Sequence, residues 1–286
     1  MADDNLTNWG RWGPDDERGT LNLITPNNIR QAAGLVRQGK AYSLMLDLDK
    51  NGPVAQTRNP LWHRTSVTLR PNPLHCSADD VVVMHTHGTT HIDALCHVFY
   101  QNQMYNGYRV DEEIHPTSGS QRNGVHNIGS IIGRGVLLDI AGHRGVDHLQ
   151  MTDEIGPDEL DACAEAEGVD IRPGDIVLVR TGWFRVFSEN RELYESGSPG
   201  PNGDVVAWFN DHQICAMGAD NVAVESTAGT LRPLHLGVIR DLGGYLIEFL
   251  FLEELAADRV YEFLFVATPL KLINGIGSPV NPVAIC

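Results

Sequence analysis

The sequence has no long apolar run and few basic residues. Among its 286 residues, no stretch approaches the ~20 consecutive apolar residues of a membrane span, and the most apolar segment, 244–252, contains Glu248. Lys and Arg number 21 against 37 Asp and Glu, which gives a net charge of −16. Because so acidic a chain repels nucleic-acid phosphates and anionic membrane surfaces, we expect no nucleic acid and no membrane as partners.

The sequence also lacks paired-cysteine motifs and the common nucleotide or nucleophile signatures. Its five cysteines (76, 96, 163, 215 and 286) are odd in number and show no CxxC spacing, which favours reduced thiols over a disulfide framework. The polar, acidic N-terminus does not resemble a secretory signal, so we expect a cytoplasmic protein. No GxSxG elbow, Walker loop or GxGxxG segment ahead of a helix is present.

Glycine and proline are spread along the chain without repeats or linkers, which indicates one domain over 1–286 with short elements. The pattern predicts a helix that is capped by Thr25, begins at Pro26 and ends at Gly39. Helices are also predicted over 157–168 and 205–217. Predicted strands, several of them continuously apolar, cover 66–69, 81–84, 136–140, 176–181, 222–225, 245–250 and 261–268. Because helices and strands alternate only loosely, we expect a mixed α/β (α+β) fold.

Four histidines and an aspartate are concentrated between positions 85 and 97. Twelve histidines in 286 residues would place only ~0.5 in such a window by chance. A buried strand over 81–84, a turn at 88–90 and a helix over 93–100 would place His87 at the strand end and His91 in the turn, with Asp93 and His97 one helical turn apart. Imidazoles and a carboxylate that converge at such a corner are typical ligands of Zn²⁺, Mn²⁺ or Fe²⁺.

Several further polar residues have a weaker or an open assignment. Period two places His85 on the strand face of His87, so it is a ligand, a neighbour that orients a ligand, or neither. Glu248 lies in an apolar strand and needs a cation or a hydrogen-bond partner. Asp220 and Glu225 have a weaker claim, Glu225 as a residue that supports a ligand, and Cys96 is expected to be a structural thiol.

The pattern His87-x3-His91-x-Asp93-x3-His97 resembles the HxGTHxDxPxH signature of the putative cyclase, or bacterial kynurenine formamidase-like, family of metal-dependent hydrolases, which includes isatin hydrolases. Thr89 stands where the signature has Gly, and Leu95 where it has Pro. Other segments that resemble longer members of the family are 9–22, 175–182, His235 followed by Glu248, and 277–283. The resemblance implies a swivelling β/β/α cyclase-like fold, a single domain with a mixed sheet as its core.

The resemblance also implies roles for six residues. His87, His91 and Asp93 would hold one divalent metal, and Asp93 would bridge to a second held by His235 and Glu248. The chain would then carry one or two Zn²⁺ or Mn²⁺ ions, with His97 as general acid/base. The implied reaction is hydrolysis of a small amide, cyclic imide or lactone by metal-activated water.

Relatives in this family generally form dimers or larger assemblies, so the resemblance implies a homodimer or homotetramer with a small-molecule substrate. Residues 1–25 would extend to a neighbouring subunit, which makes Trp9 and Trp12 candidates for the pocket or the interface. An aromatic pocket would suit a small planar substrate, and its further candidates are Trp62, Phe99, Tyr100, Tyr105 and Trp183. Candidates for holding a substrate carboxylate are Arg11, Arg64, Arg109 and Arg180.

Two other functions compete with hydrolysis. His91, Asp93 and a distant histidine would also make the two-His-one-carboxylate site of a non-haem iron(II) oxygenase, but this site leaves His87 and His97 unexplained. The other alternative is a non-catalytic binding module that a closed, four-ligand metal site stabilises. The sequence leaves the metal, the bond type and the substrate open.

Overall fold

The computed structural model describes residues 6–55, 58–69, 75–229 and 232–286. Within these residues, short 3₁₀ helices lie at Gly19–Leu23, Tyr105–Gly107 and Val125–Asn127, and a π-helix spans His235–Asp241. The α-helices are α1 Pro26–Ala33, α2 Val110–Glu113, α3 Ile140–His143, α4 Pro157–Glu167, α5 Phe184–Glu189, α6 Arg191–Ser196, α7 Val205–Asp211 and α8 Glu253–Ala257. The strands are β1 Ala41–Ser43, β2 Trp62–Thr68, β3 Ser77–Val83, β4 His91–Asp93, β5 Ile114–His115, β6 Gly119–Ser120, β7 Ile131–Asp139, β8 Glu154–Ile155, β9 Ile176–Arg180, β10 Gly200–Pro201, β11 Ala216–Ala219, β12 Tyr245–Glu248, β13 Glu262–Ala267, β14 Gly277–Pro279 and β15 Val283–Ile285.

A nine-stranded mixed sheet forms the centre of the molecule, in the order β1-β15-β13-β7-β9-β11-β12-β4-β14. The middle strands β7, β9, β11 and β12 are parallel, and the strands added at both sides are antiparallel. All residues of β9, β11 and β12 are buried, as expected for parallel strands that are covered on both faces. This architecture confirms the mixed α/β fold class.

Helices with clear end signals agree best with the sequence prediction. Thr25 and Asn28 form a reciprocal capping box ahead of Pro26, although α1 ends at Ala33, before the predicted stop. Helix α4 ends at Gly168, which adopts the left-handed conformation (φ 72°). Each of these helices starts with proline in its first turn, where the missing N–H is not needed.

Three predicted elements are wrong. The helix predicted over 205–217 ends at Asp211, and its last residues belong to the buried strand β11. The strand predicted over 222–225 does not form, because Ala223 and Val224 adopt left-handed conformations (φ 73° and 60°). The helix predicted over 93–100 does not form: Asp93 is the last residue of strand β4, which pairs with β12 and β14, and 94–100 follow in turns and irregular structure. At the centre of the molecule, strand pairing in the sheet therefore outweighs the local helix and strand propensities of the chain.

Strands β2 and β3 form a separate antiparallel hairpin with Trp62 opposite Val83 and Thr68 opposite Ser77. The sequence predicted these strands, but it was wrong to place 81–84 in the interior, since every residue of β2 and β3 is exposed. No described helix is long and apolar enough to cross a membrane.

The described part of the N-terminal segment packs against its own chain. The Asn8 side chain donates to the carbonyl oxygen of Leu242 (2.9 Å), and the Trp9 indole donates to that of Arg240 (2.9 Å). The Arg240 guanidinium lies over the Trp9 ring, 4.4 Å from its centroid. The N-terminal segment is thereby attached to the end of the π-helix.

Candidate metal centre

Two neighbouring strands place three of the predicted ligands on one face of the sheet. His91 and Asp93 are two residues apart on β4, so their side chains point to the same side. Glu248, the last residue of β12, lies directly opposite His91 in the antiparallel register. The sequence pattern predicts His91 in a turn and Asp93 on a helix. Both residues are instead held by strand pairing, which is a more rigid support.

The other three histidines reach this face from loops and from the π-helix. His87 precedes β4 in a turn, His97 follows it in another turn, and His235 is the first residue of the π-helix. All six residues that the resemblance singled out therefore meet in one place. His97 is the most solvent-accessible of the group, with 21% of its side chain exposed, whereas that of Asp93 is fully buried.

The spacing around Asp93 suits a bound cation. Its Oδ1 lies 3.4 Å from His87 Nε2, 3.5 Å from His91 Nε2 and 3.8 Å from His97 Nε2. On the other side, His235 Nε2 lies 3.6 Å from Asp93 Oδ2 and 3.2 Å from Glu248 Oε1. Ligands bound ~2.0–2.2 Å from a tetrahedral metal lie about 3.3–3.6 Å from one another. These separations therefore resemble those between ligands of a common ion.

Several of these atoms are buried without a hydrogen-bond partner. Both carboxylate oxygens of Asp93 and Nε2 of His87 have none. Buried polar atoms are rarely left unpaired, because each loses its hydration without replacement. In the described part of the chain, two groups of atoms are close enough to hold an ion, His87-Asp93-His97 and His91-Asp93-Glu248, and Asp93 belongs to both. The donor set fits a divalent metal, and the shared Asp93 would suit a pair of ions.

Two histidines are held in the tautomer that a metal ligand requires. His91 Nδ1 donates to the carbonyl oxygen of Thr89 (2.6 Å), and His235 Nδ1 donates to the carboxylate of Glu225 (2.5 Å). In each ring Nδ1 therefore carries a proton, so Nε2 is the nitrogen that faces Asp93 or Glu248 and would bind a metal in place of its own proton. Thr89 acts here through its backbone, so the replacement of the signature glycine leaves this contact intact.

Glu225, for which the sequence pattern gives only a weak functional assignment, is buried and holds His235 of the candidate centre in place. Besides holding His235, its Oε2 accepts a hydrogen bond from the backbone N–H of Leu234 (2.7 Å). The two residues before it, Ala223 and Val224, have positive φ angles, which are uncommon for an alanine and strained for a β-branched valine. The sequence signal for this role was a carboxylate in an apolar segment, the same signal that singled out Glu248.

The electrostatics of the centre follow from three buried carboxylates among histidines. Burial, the largest effect, lowers the pKa of His87 to about 3 and also lowers that of His97. Burial acts in the same direction on His235, but its hydrogen bonds to Glu225 and Glu248 outweigh it and raise the pKa to about 10. Among the described residues, only histidines form ion pairs with Asp93, Glu225 and Glu248. A divalent cation is the natural counter-charge for such a cluster.

The remaining sequence candidates lie outside the ligand cluster. His85 is exposed and lines a small neighbouring cavity. Burial raises the pKa of the Cys96 thiol to about 12, which agrees with a structural role. Asp220 accepts hydrogen bonds from the backbone N–H groups of Thr181 and Gly182. The Arg180 guanidinium is held by Asp139 and Glu253.

A cavity of about 370 Å³ has Phe184, Phe187 and Phe251 in its lining, and none of the six candidate site residues lines it. Its wall is connected to the metal-ligand strands, because the Leu46 N–H donates to Thr90 Oγ1 (2.9 Å) and that hydroxyl donates to the Phe249 carbonyl oxygen (2.5 Å). The aromatic residues that the sequence suggests for the pocket do not line this cavity. Trp183 is buried in the cluster behind these phenylalanines, Tyr105 is buried elsewhere, and Trp62 is exposed on the hairpin.

Comparison with known proteins identifies the family. The family model described as putative cyclase matches residues 40–226. The chain belongs to this family. A crystal structure described as that of a novel cyclase is similar to the chain, with a TM-score of 0.92 and 34% identity, and the match covers 99% of this chain and 100% of that one. Isatin hydrolase A from Labrenzia aggregata, in complex with benzyl benzoate, has a TM-score of 0.63 and 25% identity over 88% of this chain and 94% of its own.

A curated relative points in the same direction. Isatin hydrolase of Roseibium aggregatum is 28% identical over 130 residues, which are 42% of this chain and 48% of that protein, so the match spans about half the length of this relative. The structural matches confirm the cyclase fold that the sequence resemblance implied. At the level of the family, the comparisons support a metal-dependent hydrolase.

Proposed function

We propose that the protein is a hydrolase that uses one or two divalent ions, Zn²⁺ or Mn²⁺, to cleave a small amide, cyclic imide or lactone. The observation that carries this proposal is Asp93, a fully buried carboxylate without a hydrogen-bond partner at the centre of four histidines and Glu248. A divalent ion held there would lower the pKa of a water molecule and stabilise negative charge on a carbonyl oxygen.

The protein residues divide into ligands and a proton carrier. The family resemblance implies that His87, His91 and Asp93 would hold one ion and that Asp93, His235 and Glu248 would hold a second, although His87 and His91 fall in different three-residue groups around Asp93 in the structure. His97 accepts a proton from the attacking water and returns it to the leaving nitrogen or oxygen. Its position supports this role, because its side chain is more exposed than those of its neighbours and its Nε2 is farther from Asp93 Oδ1, at 3.8 Å, than those of His87 and His91.

The phenylalanine-lined cavity supports a small substrate with an apolar or aromatic part. Phenylalanine rings form one wall, and a volume of about 370 Å³ lies within the ~300–1,000 Å³ of typical ligand pockets. The relatives named isatin hydrolase support the same class of compound. A heterocyclic imide or aryl lactone would fit such a pocket with its ring against the phenylalanines.

Elemental analysis combined with an activity assay tests the proposal. Protein purified after growth with zinc and manganese is expected to hold one to two ions per chain and to open isatin, an aryl formamide or an aryl lactone. Asp93→Ala should lose both the metal and the turnover, since Asp93 is common to both candidate groups. The exposed carboxylate of Glu254 provides a matched control, and Glu254→Ala should keep both.

Four results would contradict this proposal. Full activity of Asp93→Ala would overturn the site. One iron per chain with oxygen consumption would indicate the oxygenase, and bound metal without turnover of any compound in the panel would indicate the binding module. A chain that binds no metal even after reconstitution would have a different function altogether.

A further inference from the structure

A small cavity lies beside the turn that carries His87. Its volume is about 20 Å³, and Asn59 and Pro60 line it together with Gly88 and Thr89. The first pair of residues comes directly after Arg58 and the second directly after His87. Because a volume of about 10–15 Å³ already holds a water molecule, the cavity has room for one small polar group.

Thr89 contributes a hydroxyl group without a partner to the lining of this cavity. Thr89 is 7% exposed, and its Oγ1 is buried with no hydrogen-bond partner among the described residues. The next residue, Thr90, accepts a hydrogen bond from the Leu46 N–H and donates one to Phe249. A buried hydroxyl that makes no hydrogen bond destabilises the fold, and a ligand that accepts one from it removes this cost.

Arg58 is a partly buried cation that likewise has no partner of its own. Among the described residues its guanidinium forms neither an ion pair nor a hydrogen bond. This is unexpected in a chain with a net charge of −16, where acidic side chains outnumber basic ones. The Arg58 charge nevertheless acts on the metal centre. Burial is the main cause of the low pKa of His87, and repulsion by Arg58 is one of the smaller causes.

The backbone holds Arg58 next to the centre through a short series of contacts. The Arg58 N–H donates to the carbonyl oxygen of Ala55 (2.9 Å). Ala55 is buried in the same apolar cluster as Phe249, and the Phe249 ring lies 6.1 Å from the His91 ring, centroid to centroid. Arg58 is therefore attached to residues that pack against a candidate metal ligand.

The arginines that the sequence suggests for a substrate carboxylate have other positions or partners. Arg180 and Arg109 form ion pairs with acidic side chains of their own chain. The Arg11 guanidinium lies over the Trp12 ring, and Arg64 is exposed on strand β2. Arg58 is instead the arginine whose charge reaches His87.

The chemistry of these two groups favours a carboxylate as the ligand. A guanidinium presents paired N–H donors that match the two oxygens of a carboxylate, and a hydroxyl adds a further donor. Asp49 is the acidic residue of the cavity lining. It is exposed to solvent and accepts a hydrogen bond from the Asn51 N–H (2.7 Å), so its repulsion of an anion is weakened by water.

We propose that the Arg58 guanidinium and the Thr89 hydroxyl form a subsite for a carboxylate of the substrate, so that the amide, imide or lactone cleaved at the metal centre is one that carries an acid group. The nature of the bond rests on the proposed function, whereas the acid group rests on Arg58 and Thr89. A bound carboxylate would neutralise Arg58 and accept a hydrogen bond from Thr89. It would also hold the substrate beside the ions without occupying a coordination position.

Matched substrates with and without the acid group test the proposal. The probes are formanilides and aryl lactones that carry either a carboxylate or a nitro group on the ring, since these groups are alike in shape and differ in charge. Arg58→Gln should raise KM for the carboxylate probe by about 10- to 100-fold and for the nitro probe by less than about threefold. The value of kcat and the metal content should stay nearly unchanged.

Further variants separate charge, hydroxyl and fold. Arg58→Lys keeps the charge but not the paired donors, so its KM should lie between those of the wild type and Arg58→Gln. Thr89→Val keeps the shape and should raise KM for the carboxylate probe by about five- to tenfold, without a loss of Tm, because the hydroxyl has no partner in the fold. Thr89→Ser should behave like the wild type. Arg37→Gln removes an exposed charge elsewhere and is the matched control.

Calorimetric titration of the metal-loaded protein with benzoate measures the subsite without turnover. The wild type should bind benzoate at least tenfold more tightly than Arg58→Gln. Binding that depends on Arg58, in a protein that cleaves none of the probes, would support the subsite and contradict the proposed function. Cleavage with equal effects of Arg58→Gln on both kinds of probe would overturn the subsite and leave the hydrolase in place. Loss of metal from Arg58→Gln, or a fall in kcat alone, would also overturn the subsite.

Discussion

At the scale of single residues, the metal centre depends on space as well as on ligands. Gly277 lies opposite Asp93 on β14, and a Cβ at this position would come within 2.3 Å of His87 Nε2. Real Cβ atoms do not approach a ring nitrogen so closely, so any side chain here must displace the imidazole. Strand β14 thus leaves open the space that the His87 imidazole occupies next to Asp93.

Gly277→Ala should therefore weaken metal binding by tenfold or more while it leaves the fold intact. The loss is expected because His87 can no longer take its position 3.4 Å from Asp93. Competition with a chromophoric chelator measures the affinity, and circular dichroism checks the fold. Gly229→Ala is the control, since nothing lies within 4 Å of a Cβ there. Equal affinities of the two variants would contradict the prediction.

Glu167 illustrates a residue-scale effect away from the metal centre. Burial raises the pKa of its carboxyl to about 7, and Asp139 adds to this shift, although Glu167 accepts a hydrogen bond from the Asp139 backbone N–H (2.9 Å). Because the folded-state pKa is above the ordinary value of 4.5, this group favours the folded state at low pH. The contribution is lost as the pH rises from 4.5 to 7.

We therefore expect Glu167→Gln to stabilise the protein at pH 8 by about 1 kcal/mol, after allowance for partial exposure. The gain should shrink toward zero as the pH falls to 4.5, because the wild-type carboxyl is then neutral when folded. Urea unfolding at several pH values measures this difference. Glu165→Gln, an exposed change on the same helix, should show no such trend. A gain that is independent of pH would show that burial of the charge is not its cause.

At the scale of elements, the centre joins a strand pair to the start of a π-helix. The strands fix His91, Asp93 and Glu248 relative to one another through backbone pairing. Glu225 attaches the π-helix to this frame, since it holds both the Leu234 N–H and the His235 ring. Left-handed residues stand directly before Glu225 and directly after Glu248, at Val224 and Phe249. Strained backbone of this kind is common where functional side chains must be aimed.

Glu225→Gln tests this attachment. An amide can donate to His235 Nδ1, which would move the ring proton to Nε2 and direct it at Asp93 and Glu248. We expect a 10- to 100-fold weaker affinity for the ion that His235 and Glu248 hold, with little change at His87 and His91. A metal titration resolved into two steps measures both sites, and Glu254→Gln serves as the control. A uniform loss at both sites would contradict a role limited to His235.

At the scale of the whole molecule, the metal should contribute to stability. The buried carboxylates Asp93, Glu225 and Glu248 have only histidines as ion-pair partners among the described residues, so folding concentrates negative charge at the junction of β4, β12 and the π-helix. An ion that binds the folded chain alone shifts the unfolding equilibrium by mass action. The centre is thus part of the stability of the domain as well as of its chemistry.

We expect removal of the metal by a chelator to lower Tm, and addition of Zn²⁺ or Mn²⁺ to restore it. At about 100 times Kd, one site adds ~2.7 kcal/mol, which corresponds to several degrees in a domain of this size. Differential scanning fluorimetry measures the shift. Asp93→Ala should show no response to metal, and without metal it should be at least as stable as the wild type, because it removes a buried charge. A marked loss of stability in the metal-free variant would contradict this account.

The sequence by itself determined the fold class, the capped helices and the types of residue that meet at the candidate metal centre. Four histidines and Asp93 within 13 residues are visible in the sequence alone. Thr25, Pro26 and Gly168 set the helix ends through local backbone chemistry, which tertiary contacts reinforce. Only the tertiary structure decided that Asp93 lies on a strand, that Glu225 supports His235, that Gly277 makes room for His87 and that the valines of β3 face solvent. The physical reason is that strand pairing and burial bring together residues more than 150 positions apart. The free energy of these long-range contacts exceeds the small local conformational preferences from which a sequence pattern predicts structure.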